Sequence, residues 1–233
     1  IVPRLVDIFG YGAAFGALIS FTLMTLLILP FIPNVNSIPQ ENESSNSFFK
    51  IPISFLLILT LCGLFLFQAA NMGVADYAFE LGKDIGLQNT EISNLLTIAN
   101  IISISGGIMV YLIGIKYGRT IPLFIGISSA AIFTYLLHYS DNITMYFIAN
   151  TITGVAWGFT IPYLLGLCAT FDIYGQMAAL AGFVSKMGLA TGPLIGALFI
   201  TTSGFGFIIN IATIALIAAL FFSVYVSTQK RNK

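Results

Sequence analysis

Of this chain's 233 residues, 58% are hydrophobic and 8% charged, and its mean hydropathy of +0.96 lies far from that of a soluble globular domain, whose surface water must solvate. A formal net charge of zero gives no electrostatic reason to bind nucleic acid. Cys62 and Cys168 both fall inside apolar segments with no CxxC or Cys/His grouping, which reads as packing rather than redox or metal chemistry.

A membrane-crossing helix needs about 20 mostly apolar residues, because each residue rises about 1.5 Å through a hydrocarbon core roughly 30 Å thick. Seven windows meet that requirement: Tyr11–Ile32, Ile53–Tyr77, Ile92–Ile115, Ile121–His138, Met145–Thr170, Met177–Ile200 and Phe205–Val226. The runs are continuous and rich in Leu, Ile, Ala and Gly, whereas a β-barrel needs segments of about ten residues with strict alternation. The expected fold class is therefore all-α, a polytopic membrane helical bundle. The first window is too long for a signal peptide and lacks a small-residue cleavage pattern, so it reads as a true span.

The longest loop, Pro33 to Lys50, is rich in Asn, Ser and Glu without apolar periodicity and reads as a flexible linker. It divides the chain into a leading helix (1–32), a linker (33–50) and a block of six helices (51–233). Lys50, Lys116, Arg119, Lys230, Arg231 and Lys233 gather on one face of this topology; Arg4 and Lys83 lie on the other, with Glu80, Asp84, Glu91 and Asp141. Cationic loops stay in the cytoplasm. The C-terminus is expected there, in the plasma or inner membrane, with the first residue outside. That placement, and a start at Ile1 rather than Met, suggest a fragment whose upstream part is missing.

Lys186 is the one basic residue deep inside a span, about ten residues from its start and so about 15 Å deep. An ammonium facing lipid there costs about 3 kcal/mol, so it should face a polar cavity or a carboxylate. On the same helix Gly188, Gly192 and Gly196 form one stripe at 100° per residue, with Ser185 beside it and Lys186 pointing away. Small residues let helix backbones approach in lipid, and Pro193 can add a bend.

The loop Gly114-Ile115-Lys116-Tyr117-Gly118-Arg119 resembles the cytoplasmic D-R-x-G-R turn of the major facilitator superfamily, with Ile115 where an acidic residue is usual. The segments Trp157-Gly158-Phe159-Thr160-Ile161-Pro162-Tyr163 and Gly188-x3-Gly192-Pro193-x2-Gly196 also resemble family patterns. The resemblance covers essentially the whole chain. It implies that the first span is the sixth of twelve helices and that the other six form the C-terminal half, with the missing N-terminal half as partner. It further implies alternating access of rocker-switch type, with no cofactor.

By this resemblance two polar stripes, Gln68 and Asn71 on the second span and Asn150, Thr153 and Trp157 on the fifth, line the central pathway together with Lys186. Gln68 or Asn150 could instead bond a neighbouring helix. Asn100 with Thr97 adds a weaker signal on the third span. Asp76 reads either as a proton-binding or outer-gate carboxylate or as a solvated interfacial acid. At the cytoplasmic side, Lys116, Gly118 and Arg119 set topology, and Arg119 or Lys116 could pair with Asp172 as an inner latch. The solute is expected to be small and anionic or amphipathic, with protons as the coupling ion.

No phosphate loop, catalytic triad or metal-spaced cluster appears in the sequence, so an enzyme is not expected. Two other readings stay open, a seven-helix receptor or sensor and a membrane subunit that does not itself transport.

Overall fold

The computed structural model describes residues 10–28, 54–172 and 176–231. The chain divides into two units, Ile1–Pro52 and Ile53–Lys233. Within the first, α1 (Tyr11–Ile28) is an 18-residue helix without a charged residue. The expected linker, 33–50, lies outside the described residues, as do residues 29–32 of the first window.

The second unit is a helical bundle containing α2 (Phe55–Ala75), the short α3 (Ala78–Asp84), α4 (Asn89–Ile113), α5 (Thr120–Leu136) and α6 (Ile143–Ala169). Helix then runs through Gln176–Arg231, with one break at Gly204, whose φ of 72° and ψ of 178° are not helical. The two arms are α7 (176–203) and α8 (205–231). Among the described residues five helical stretches are long and apolar enough to cross a membrane, the last being Gln176–Lys230. Its 55 residues are about twice what one crossing needs and fold back at the glycine.

Several helix starts are set by capping. Ser54 accepts from Leu57 N–H at 3.2 Å, Gln88 and Glu91 form a reciprocal capping box at α4, and Asn142 Oδ1 accepts from Thr144 N–H at 2.9 Å at α6. The sequence windows are adjusted accordingly: α4 begins at Asn89 rather than Ile92, and α3 follows α2 where a loop was expected. Burial of Ala78 and Leu81, and a bond from Tyr146 Oη to Ala78 O at 2.8 Å, explain α3, which is too short and too acidic to register as an apolar run.

The core lies among α2, α5, α6 and α8, where Phe67, Leu123, Ile127, Tyr146, Leu164 and Leu216 are fully buried. Hydrophobicity alone does not drive helices together in lipid; close packing does. The α2–α7 contact is closest at three glycines. A Cβ on Gly188 would lie 2.7 Å from Phe65 O, one on Gly192 would strike Ala69 O, and one on Gly196 would strike the Tyr77 ring. Farther along α2, a Cβ on Gly63 would lie 2.8 Å from Ser223 Oγ on α8. Gly106 presses α4 on α6 at Val155, and Gly126 presses α5 on α6 at Thr160.

The backbone at Gly192 cannot yield to a methyl group without parting α2 from α7. Gly192→Ala should therefore lower stability by about 1–3 kcal/mol, whereas Gly182→Ala, with open space around its position, should be neutral or stabilising by up to about 1 kcal/mol. Thermal unfolding of both variants in the same detergent checks the contrast.

Candidate functional site

Three helices meet at Gln68. An indole N–H can only donate, so the amide oxygen must turn toward Trp157 and the amide nitrogen away from it. Trp157 Nε1 on α6 donates to Gln68 Oε1 at 2.8 Å, and Gln68 Nε2 donates to Ser185 Oγ on α7 at 2.6 Å. Gln68 is 2% exposed and Ser185 is also buried, while Trp157 remains 41% exposed. Gly188 makes the approach possible, since a Cβ there would lie 2.8 Å from Gln68 Cβ.

Lys186 follows Ser185 and is exposed on the bundle surface. At 100° per residue its side chain leaves α7 well round from Ser185, so one turn of helix supplies both a buried hydroxyl and an exposed ammonium. Asn71, one turn beyond Gln68, is buried; its Nδ2 donates to Phe67 O at 2.7 Å, and its Oδ1 has no hydrogen-bond partner among the described residues.

The remaining polar positions are less closely joined. Asn150 Nδ2 donates to Tyr146 O at 2.8 Å and Thr153 Oγ1 to Ala149 O at 2.7 Å, both within α6. On α4, Thr97 bonds Ser93 O at 2.6 Å and Asn100 is exposed. Asp76 caps the end of α2 through its backbone N–H to Met72 O, with its carboxylate and that of Glu80 at exposed positions. His138 Nε2 lies 2.9 Å from Asn210 Oδ1, joining the end of α5 to α8.

The other end of the bundle is basic. Gly114 and Gly118 have φ of 54° and 71°, left-handed conformations that suit glycine, and between them Lys116 is exposed. Tyr163 Oη donates to Gly114 O at 2.8 Å, tying the turn to α6. Arg119 Nε lies 3.4 Å from where a Cβ on Gly166 would stand. Asp172 Oδ2 accepts from Ala178 N–H at 3.2 Å in the first turns of α7. Lys230 reaches Thr170 O at 3.4 Å and lies 3.9 Å from the centroid of the Phe171 ring, placing a cation at the carbonyl end of α6.

The sequence did not single out Ser185, Tyr163 or Gly166 as partners. A signal for Ser185 was present: it stands at i−3 from Gly188 and i−7 from Gly192, on the face that meets α2. A separate groove of about 130 Å³ lies between α2, α7 and α8, against Ala69, Gly73, Gly196 and Phe207. Its walls carry no polar side chain, so it offers no directed contact to a polar molecule. Among the described residues no three His, Cys, Asp or Glu side chains are grouped to hold a metal.

The family model described as sugar (and other) transporter matches residues 63–228. That stretch contains Gln68, Trp157, Ser185, Lys186 and the whole basic turn. No individual curated protein matches the chain.

Cross-helix and within-helix bonds should separate on mutation. Gln68→Ala, which leaves the Trp157 N–H without its acceptor, should cost about 1–2 kcal/mol, and Asn150→Ala, which removes only a bond to its own helix, less than about 0.6 kcal/mol. Melting curves of the two variants in one detergent distinguish the cases.

Proposed function

The chain belongs to the sugar (and other) transporter family of the major facilitator superfamily, a multi-pass membrane solute transporter rather than an enzyme, and from that premise we propose that it carries a small carboxylate-bearing solute coupled to protons. The observation that carries the solute class is Lys186, an exposed ammonium in mid-span next to the serine that anchors Gln68 and Trp157. An unpaired cation at that depth is costly, and a carboxylate offers it the missing charge. The half-exposed indole adds a flat apolar wall with its one donor already engaged.

In this reading α1 corresponds to the sixth helix of the family's twelve and residues 33–50 to the central cytoplasmic linker. The six crossings of α2 to α8 correspond to the C-terminal half, 51–233, and the N-terminal half supplies the facing wall. The basic end, with Lys116, Arg119 and Lys230, faces the cytoplasm of a plasma or inner membrane by the preference of cationic loops. Alternating access proceeds by rocking of one half against the other about a midplane site. Arg119 or Lys116 latches to Asp172 in one state and parts from it in the other. Asn71, Asn100, Asn150 and Thr153 are secondary candidates along the path, and Asp76 is the candidate proton-binding carboxylate.

Uptake into proteoliposomes carrying the transporter tests this. L-lactate should enter under an inward proton gradient, a protonophore should abolish accumulation, and Lys186→Ala should cut uptake at least tenfold while the protein remains folded. D-glucose uptake that survives Lys186→Ala, without lactate uptake in the parent protein, would replace the carboxylate assignment with a neutral solute. For the latch, Asp172→Asn should raise the reactivity of cysteine probes placed at the basic end and slow transport; unchanged values of both remove it.

A further inference from the structure

We infer that Ser185 is a positioning residue: through Gln68 it fixes the orientation of the Trp157 indole and so registers α7, which bears Lys186, against α6. The placing of that indole on a solute path rests on the transporter reading above; the relay itself rests on geometry alone. Each atom of the Gln68 amide is engaged by a different helix, Oε1 by Trp157 at 2.8 Å and Nε2 by Ser185 at 2.6 Å. At 2% exposure the amide is walled in, so Gln68 is not presented to a solute. What remains open is the indole, 41% exposed.

Direction in the relay follows from donor chemistry. Because Trp157 supplies only a donor, the amide works in one orientation and fails when rotated by half a turn, since its NH₂ would then face the indole N–H. An amide with an acceptor at one end only is held by a single bond. Ser185 supplies the second, accepting from Nε2; its hydroxyl can bond either end of the amide, so the indole sets the orientation and Ser185 holds the amide in place. Its own place is fixed by the glycine contact three residues on, where Gly188 presses against Phe65 and Gln68. A bond of 2.6 Å does not survive a relative shift of about 1 Å. Sliding of α7 along α2 is therefore felt at the indole on α6, although α6 and α7 share no other side-chain hydrogen bond among those named above.

Trp157 is the chain's only tryptophan, so intrinsic fluorescence reads this position alone. In the purified chain in nanodiscs, Ser185→Ala should raise the acrylamide quenching constant of Trp157 at least twofold and shift its emission to the red. Gln68→Leu should do the same, and the double variant should add little to either, as expected of two residues in one relay. Ser223→Ala, which removes a buried hydroxyl from α8 facing Gly63 instead, should leave Trp157 unchanged. Wild-type quenching in Ser185→Ala alongside a raised value in Gln68→Leu would show that Gln68 holds the indole unaided and would overturn the inference. Unchanged quenching in both would overturn the relay as a whole. Should Ser185→Ala not fold, Ser185→Cys, similar in size but a weak acceptor, is read in its place, with a raised quenching constant supporting the relay and an unchanged one refuting it. In L-lactate uptake, Ser185→Ala should raise KM with Vmax held. Absence of uptake in the parent protein would count against the transport reading and leave the fluorescence result standing.

Discussion

Everything in the second unit depends on how closely α2 and α7 approach. Gly188, Gly192 and Gly196 bring the α7 backbone against Phe65, Ala69 and Tyr77 at distances that leave no room for a Cβ. In lipid no gain from excluding water holds two helices together, so dense backbone contact must supply it. The contact also sets register. With Gly188 beside Gln68, Ser185 falls opposite the amide, and Lys186 is turned off the seam. The glycine stripe that packs the two helices is thus also what places the polar residues.

Polar side chains in this bundle follow two strategies. Thr60, Thr97, Asn150, Thr153 and Thr191 each donate to a carbonyl one turn earlier on their own helix, which satisfies the donor without linking helices. Tyr77, Tyr146 and Tyr163 donate instead to Pro193 O, Ala78 O and Gly114 O. These bonds lie toward the ends of the bundle. The Trp157–Gln68–Ser185 relay joins three helices by side chains, and it sits in mid-span, where an unsatisfied amide costs most.

The legibility of this structure from sequence follows the same division. Helix crossings were readable because about 20 apolar residues in a row have few alternatives, and the glycine stripe because a 100° repeat puts Gly188, Gly192 and Gly196 together. The residue that each polar group would reach was not readable. Gln68 and Asn150 looked alike, an amide on a polar stripe, yet one bridges three helices and the other bonds Tyr146 O. The difference lies in the partner helix, specifically in whether a hydroxyl and a glycine face it, and no periodicity within one segment contains that information. The loop expected at residues 201–204 shrank to a break at Gly204 because one left-handed glycine suffices to end α7. The helix α3 was missed because its stability comes from Tyr146, distant in sequence.

The rocking proposed above would make a mechanical demand that this packing meets. A bundle that tilts as a body must not deform at its own crossings, and contacts made backbone to backbone have no flexible side chain to absorb strain. At Gly106 on α4 and Gly192 on α7 the opposing atoms are main chain, and at Gly126 on α5 they are the branched Thr160 and the ring of Phe159, so small displacements are resisted rather than taken up locally. The ends are tied as well, by Lys230 at the close of α6 and by His138 to Asn210 at the opposite side. Motion between states would then fall on the surfaces that the bundle leaves uncovered. Foremost among these is α4, of which only Ile92, Ala99 and Gly106 are buried. If the halves rock as proposed, a stiff bundle with an exposed α4 face would concentrate the movement on contacts made outside it, while the glycine seam holds α7, and with it Lys186, against α2.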